Sequence, residues 1–104
     1  MPETRLDLLK RMLEQDPRNT FARYGLAMEY KNAGDWEEAI AAFQQLLEVD
    51  PQYSAAYFHG GQSLEKTGRA EEARQMYQRG VEVTTAKGDD HARSEMQAAL
   101  DLLP

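Results

Sequence analysis

Two histidines, three acidic pairs and a glycine pair are the residues of this 104-residue chain whose types and spacing bear on chemistry. His59 and His91 stand 32 positions apart. A divalent metal there would need further ligands from nearby acids such as Asp89 or Asp90, and His-Asp pairs on a polar helix are usually solvated, so a metal site is not expected. His91 beside Asp89 and Asp90 is at most a pH-sensitive contact. The pairs Glu37-Glu38, Glu71-Glu72 and Asp89-Asp90 each open a helical stretch. The helix dipole accounts for negative charge there, so none needs to be a catalytic acid. Gly60-Gly61 falls inside a helical pattern and cannot cradle a phosphate. The chain has no cysteine, hence no disulfide, thiolate nucleophile or cysteine metal site. It carries no nucleotide fingerprint, nucleophile elbow or zinc signature. The expectation is a protein without catalytic residues, cofactor or metal, with an enzyme or metal-binding protein as the remote alternative.

The elements around these residues are helices. Ala, Leu, Glu, Gln, Arg and Met dominate, and all favour helix. Hydrophobic residues make up 41% and charged residues 29%, an ordinary globular balance. The formal net charge of -6 argues against nucleic acid, which needs clustered Lys and Arg. It suits a basic or amphipathic protein partner, and it also serves plain solubility. The first residues, MPETRLDLLKRML, carry acids early and no unbroken apolar core. They read as neither a signal peptide nor a membrane span, so a soluble, cytoplasmic protein with no membrane association is expected.

A shift of 34 residues lays the sequence on itself. Asp16-Pro17 falls on Asp50-Pro51, Gly34 on Gly68, and Glu37-Glu38-Ala39 on Glu71-Glu72-Ala73. Phe43 falls on Tyr77, Tyr30 on Leu64 and Tyr24 on Phe58. Each period reads as two helices. Residues 20–33 carry Phe21, Tyr24, Leu26, Ala27 and Tyr30 at helical spacing. Gly34 can close that helix in the left-handed region. Asp35, with Glu38 three residues on, has capping-box spacing for the next. Ala39, Ile40, Phe43, Leu46 and Leu47 form its apolar face, and Pro51 stops it. Residues 54–67 and 70–86 repeat the arrangement. Residues 3–15 match only a second helix and 89–103 only a first helix. Six helices are expected, the outer two acting as caps.

At these places residues 20–53 and 54–87 resemble two tetratricopeptide repeats (TPRs). The first offers Leu26, Ala27, Tyr30, Gly34, Ala39, Phe43 and Pro51; the second offers Tyr57, Gly61, Leu64, Gly68, Ala73 and Tyr77. The resemblance spans essentially the whole chain. It implies an all-α, right-handed α-α superhelix in one domain: two full repeats flanked by a half-repeat helix at each end. Small residues at Ala27, Ala39, Gly61 and Ala73 let paired helices approach. The ends depart from the motif as caps should. Arg5 takes the place of Ala39, and Glu95 that of Ala27. Other departures are Arg23, where a large apolar residue is usual, Gly60 where Leu26 stood, and Thr85 for Pro51. Gly60 is read first as a packing residue.

The resemblance also implies that the first helix of each pair lines a concave groove. Phe21, Tyr24, Met28 and Lys31 would come from one helix. Ala55, Phe58, Gln62 and Lys66 would come from the next, and Asp89, Ala92, Arg93 and Met96 from the cap. Tyr24 and Phe58 are either groove wall or inter-helix core. TPR domains of the carboxylate-clamp type hold acidic chaperone tails with Lys and Asn on the first groove helix, Asn on the second, and Lys and Arg on the third. The corresponding places here hold Tyr24 and Met28, His59, and Asp89 and Arg93, so only Arg93 agrees and an acidic tail is not expected. The chain looks like the small single-domain TPR proteins of bacteria. The expected function is an adaptor, scaffold or co-chaperone-like module that binds a peptide or helix of a protein partner, as a monomer or weak homodimer. The alternative is a structural subunit acting through homo-oligomerisation.

Overall fold

A computed structural model describes residues 3–104. Six helices follow in order: α1 (Arg5–Gln15), α2 (Thr20–Ala33), α3 (Trp36–Val49), α4 (Ser54–Lys66), α5 (Ala70–Lys87) and α6 (Asp90–Asp101). No strand occurs among the described residues. Each helix packs on its neighbours in sequence, and α4 also touches α6. The stack measures 45 × 29 × 19 Å, elongated as a row of helical pairs should be.

The punctuation follows from single residues. Gly34, Gly68 and Gly88 have φ of 79°, 75° and 71° and close α2, α4 and α5. A side chain would be strained in that region. At the first of these closures, Asp35 N–H bonds the Tyr30 carbonyl at 2.9 Å. That donor is therefore not available to Glu38, and the capping box expected at Asp35 and Glu38 is absent. The Asp35 carboxylate makes no cap bond either. Asp89, with a nearly identical backbone, does cap its helix through Ala92 N–H, so the difference lies in the side-chain torsion. The box occurs instead at α1, where Thr4 and Asp7 satisfy each other's backbone N–H groups. Thr85 in place of proline lets α5 continue to Lys87, giving 18 residues against 14 in α3.

Close approach depends on the small residues. Ala27, Ala39 and Ala73 are fully buried. A methyl group on Gly61 would lie 2.6 Å from Tyr77 Cζ, so α4 and α5 meet at bare backbone. Phe43, Leu46, Tyr57, Leu64 and Tyr77 fill the spaces between pairs at 1% exposure or less. Gly60 faces Phe43 and Met76, which makes it a packing residue as expected. Arg23 is no core residue: its Nε donates to the Pro17 carbonyl at 2.6 Å and ties the α1–α2 loop to α2. Buried Ser63 and Thr84 donate to the carbonyls of His59 and Gly80, one turn back. No buried side-chain polar atom lacks a partner among the described residues.

Candidate functional site

The faces of α2 and α4 that look away from α3 and α5 form a wall of half-buried aromatic rings. Tyr24 lies 5.2 Å from Tyr53 and 6.1 Å from His59, ring centre to ring centre. Phe58 meets the His59 edge at 5.5 Å and approaches Tyr77 beneath at 6.4 Å. Tyr24 and Phe58 are thus both packed on the core and partly open to solvent. Burial pushes the Tyr24 and Tyr53 hydroxyls above their ordinary pKa, so both stay neutral donors.

Lys31 gives the wall its polar centre. Its Nζ lies 2.8 Å from His59 Nδ1 and 2.7 Å from Gln62 Oε1, reaching from α2 to α4. An ammonium has only donors, so His59 Nδ1 must accept and its proton sits on Nε2. Burial lowers the His59 pKa, the Lys31 charge lowers it further, and contacts with Gln62 and Glu95 partly oppose both. The Lys31 pKa is also lowered, by burial first and by Lys66 second. Lys66 stands 5.9 Å over the Trp36 ring. Lys31, Lys66, Trp36, Gln62 and Glu65 together border a shallow notch of about 460 Å³. Between α4 and α6 a second cleft of about 250 Å³ has Phe58, Ala55 and Ala92 in its floor and Asp89 and Glu95 at its rim.

The neutral imidazole has a measurable consequence. The unfolded chain protonates His59 near pH 6.5 and the folded chain only at lower pH. Between those two values the unfolded state binds more protons, so stability falls as pH drops through that window and is flat above it. Melting temperatures from pH 7.5 to 5.5 should decline for the native chain. The His59→Gln variant should lose that component of the decline. Equal slopes for the two proteins would rule out His59 as its source.

Of the twelve residues expected to line the groove, Ala55, Asp89 and Ala92 border the cleft between α4 and α6, and the other nine do not all meet. Tyr24, Lys31, Phe58 and Gln62 gather around His59, and Met28 is half-buried against the core. Lys66 is exposed at its end. Phe21 is 66% exposed at the N-terminal edge. Arg93 is half-buried and makes no ion pair among the described residues. Met96 departs from expectation. It is 1% exposed and fills the space over Gly80, where a Cβ would strike its sulfur, so it is core. Tyr53 and Trp36 were not among the expected groove residues, and His59 entered only as the occupant of a carboxylate-clamp place. Tyr53 could have been found, since it immediately precedes a groove helix. The two histidines are engaged separately, His59 by Lys31 and His91 by Glu95 at 2.7 Å. Among the described residues no three His, Asp or Glu side chains group as a metal site would require, and no helix is long and apolar enough to cross a membrane.

A sequence profile described as "Tetratricopeptide repeat" matches residues 24–92. No curated protein matches the chain. Among solved structures, a tetratricopeptide repeat domain protein from Salinibacter ruber is 36% identical, with a TM-score of 0.75 over 82% of this chain and 86% of that one. A protein from Bordetella parapertussis is 27% identical, with a TM-score of 0.83 over 96% and 87%. The TPR2B domain of yeast Sti1, in a complex with pHsp70, is 15% identical, with a TM-score of 0.72 over 90% and 81%. This last likeness is one of fold.

Proposed function

The chain belongs to the tetratricopeptide-repeat family, whose fold supports protein–protein interaction, and from that premise we propose that it binds a peptide or helical segment of a partner protein along the concave face of α2, α4 and α6. The observation that carries this reading is the aromatic wall of Tyr24, Tyr53 and Phe58, whose rings pack on the core and remain half open to solvent. Aromatic side chains with one face packed and the other wet are common anchors for protein segments. We read Phe21, Met28, Lys31, Gln62, Lys66 and Arg93 as further contacts, and Met96 as the support beneath. The organisation we propose is a single domain with repeats at 20–53 and 54–87, a half-repeat helix at 3–15 and a capping helix at 89–103. In this reading the protein is a non-catalytic adaptor or scaffold, cytoplasmic, and a monomer or weak homodimer.

The test is a double variant, Tyr24→Glu with Phe58→Glu. It should keep its helical circular dichroism and lose the proteins that the native chain retains on an affinity column. A matched control, Gln75→Glu with Gln44→Glu on the opposite face, should keep them. If the groove variant retains the same proteins, the site lies elsewhere. If it unfolds, the two rings belong to the core.

A further inference from the structure

The groove is not electrically uniform, and its polarity describes what would fill it. At the C-terminal ends of α2 and α4, Lys31 and Lys66 face one notch, and neither has an ion-pair partner among the described residues. The carboxylate nearest them in the notch, Glu65, is engaged by the Tyr77 hydroxyl at 2.5 Å. A lysine in the last turn of a helix is ordinary, because the helix dipole favours it. That does not account for Lys31, whose ammonium leaves its own helix and crosses to His59 and Gln62, two neutral acceptors. Gln62 accepts from Lys31 through Oε1, so its amide N–H₂ is left as a donor beside two ammonium groups. Donors and positive charge converge on the notch, where burial first and the Lys66 charge second lower the pKa of Lys31. The other end is opposite in sign. Asp89 and Glu95 line the cleft that holds Phe58; Asp89 accepts from Ala92 N–H through one oxygen, Glu95 lies 2.7 Å from His91, and the one lysine that reaches the lining, Lys87, is 3.1 Å from Ser54 Oγ. An acidic tail with several carboxylates would meet repulsion there.

Resting on the groove reading above, we propose that the concave face takes an extended internal segment of a partner chain bearing one carboxylate side chain and one basic side chain. The carboxylate seats between Lys31 and Lys66 and accepts from Gln62. An apolar residue lies over Phe58, and the basic side chain meets Asp89 and Glu95. Neighbouring helices stand about 10 Å apart. An extended chain covers about 3.3 Å per residue. The notch and the cleft are also offset by about 12–16 Å along α4, from Lys66 to Phe58 and Ala55, so the two charges are about five to six residues apart.

The experiment is selection of random peptides, displayed internally with both ends blocked by the display protein, on the native chain and on the Lys66→Glu and Lys31→Met variants. Lys66 is exposed, so its substitution does not endanger the fold. The native chain should enrich peptides with one acid and one base separated by apolar residues. A synthetic, capped version of an enriched peptide should bind Lys66→Glu about tenfold more weakly. Exchanging the acid of that peptide for lysine should restore binding to Lys66→Glu. Enrichment indifferent to charge, or affinity for Lys66→Glu within twofold of native, overturns the proposal. If such charge-indifferent peptides are still lost with Tyr24→Glu and Phe58→Glu, the groove reading survives while this one fails. If the native chain enriches nothing, both fail.

Discussion

Replacing Gly61 with alanine should lower the melting temperature, by up to about 15 °C, while the same change at the adjacent Gly60 should leave it unchanged or slightly raised. Alanine favours helix over glycine by about 1 kcal/mol, so a free-standing helix would gain at either position. The neighbours decide the sign. A Cβ on Gly61 would lie 2.6 and 2.7 Å from Tyr77 Cζ and Cδ1. That ring is fully buried and tethered through its hydroxyl to Glu65, so it cannot swing away. Helices α4 and α5 must then part, and overpacking of this kind costs about 1–3 kcal/mol. In a domain of this size each kcal/mol moves the midpoint by about 4–8 °C. A Cβ on Gly60 would lie 3.3 Å from Met76 Cε and 3.4 Å from Phe43 Cβ. The end of a methionine can yield a few tenths of an ångström, so the helix gain survives. Paired thermal melts decide it. Equal midpoints for the two variants would show that the approach of α4 to α5 is not limited by Tyr77. The consequence reaches the groove, because Phe58, His59 and Gln62 all ride on α4.

The same pair of glycines shows what a repeat makes legible. The 34-residue shift placed Gly61 at the position of Ala27, and that equivalence announces a close helix approach before any coordinates. Six helices, their order and most of the core follow from such equivalences, because the hairpins are built alike and repeat at one period. Contacts between units do not follow that period. Lys31 meets His59 and Gln62 across separations of 28 and 31 residues, and nothing in the sequence ties those positions together. The sequence therefore sets His59 at a clamp place on the second helix without showing that it accepts from Lys31. Met96 shows the converse. It sits at a place that is groove-lining in the first unit, where Met28 occurs. Gly80 stands where Leu46 stood and leaves a space, and Met96 falls into it. Such an exchange between a small residue on one helix and a long one on the next is invisible to a comparison made one position at a time. The capping box at Asp35 was misread for a similar reason. The spacing was right, but the preceding Gly34 turn had already committed the Asp35 N–H to Tyr30.

Phe43→Ala should cost about 3–5 kcal/mol, most of the stability of a domain this small. Leu9→Ala, at the position one period earlier, should release only α1. Both side chains are buried, at 0% and 2% exposure, so burial alone predicts similar outcomes. Position in the row separates them. Phe43 lies in the middle, against Gly60 of α4, and belongs to the cluster joining α2 through α6. Leu9 packs across to Gly25 of α2, and among the described residues α1 packs against α2 with no comparable neighbour on its other side. In a stack whose units touch only their neighbours, an end element can open while the rest holds, whereas a loss at the centre breaks the interface that couples both halves. Amide hydrogen exchange resolves the two. Leu9→Ala should accelerate exchange across residues 5–15 and leave α3, α4 and α5 near native rates. Phe43→Ala should accelerate exchange in α2 through α5 together. A global loss of protection in Leu9→Ala equal to that in Phe43→Ala would mean that α1 is integral to the folding unit. The polar bridge from Lys31 to His59 and Gln62 spans α2 and α4, directly over the Phe43 interface. Its Lys31 and His59 shifts should therefore survive Leu9→Ala and vanish with Phe43→Ala, which ties the proposed binding surface to the central interface and leaves it independent of the cap.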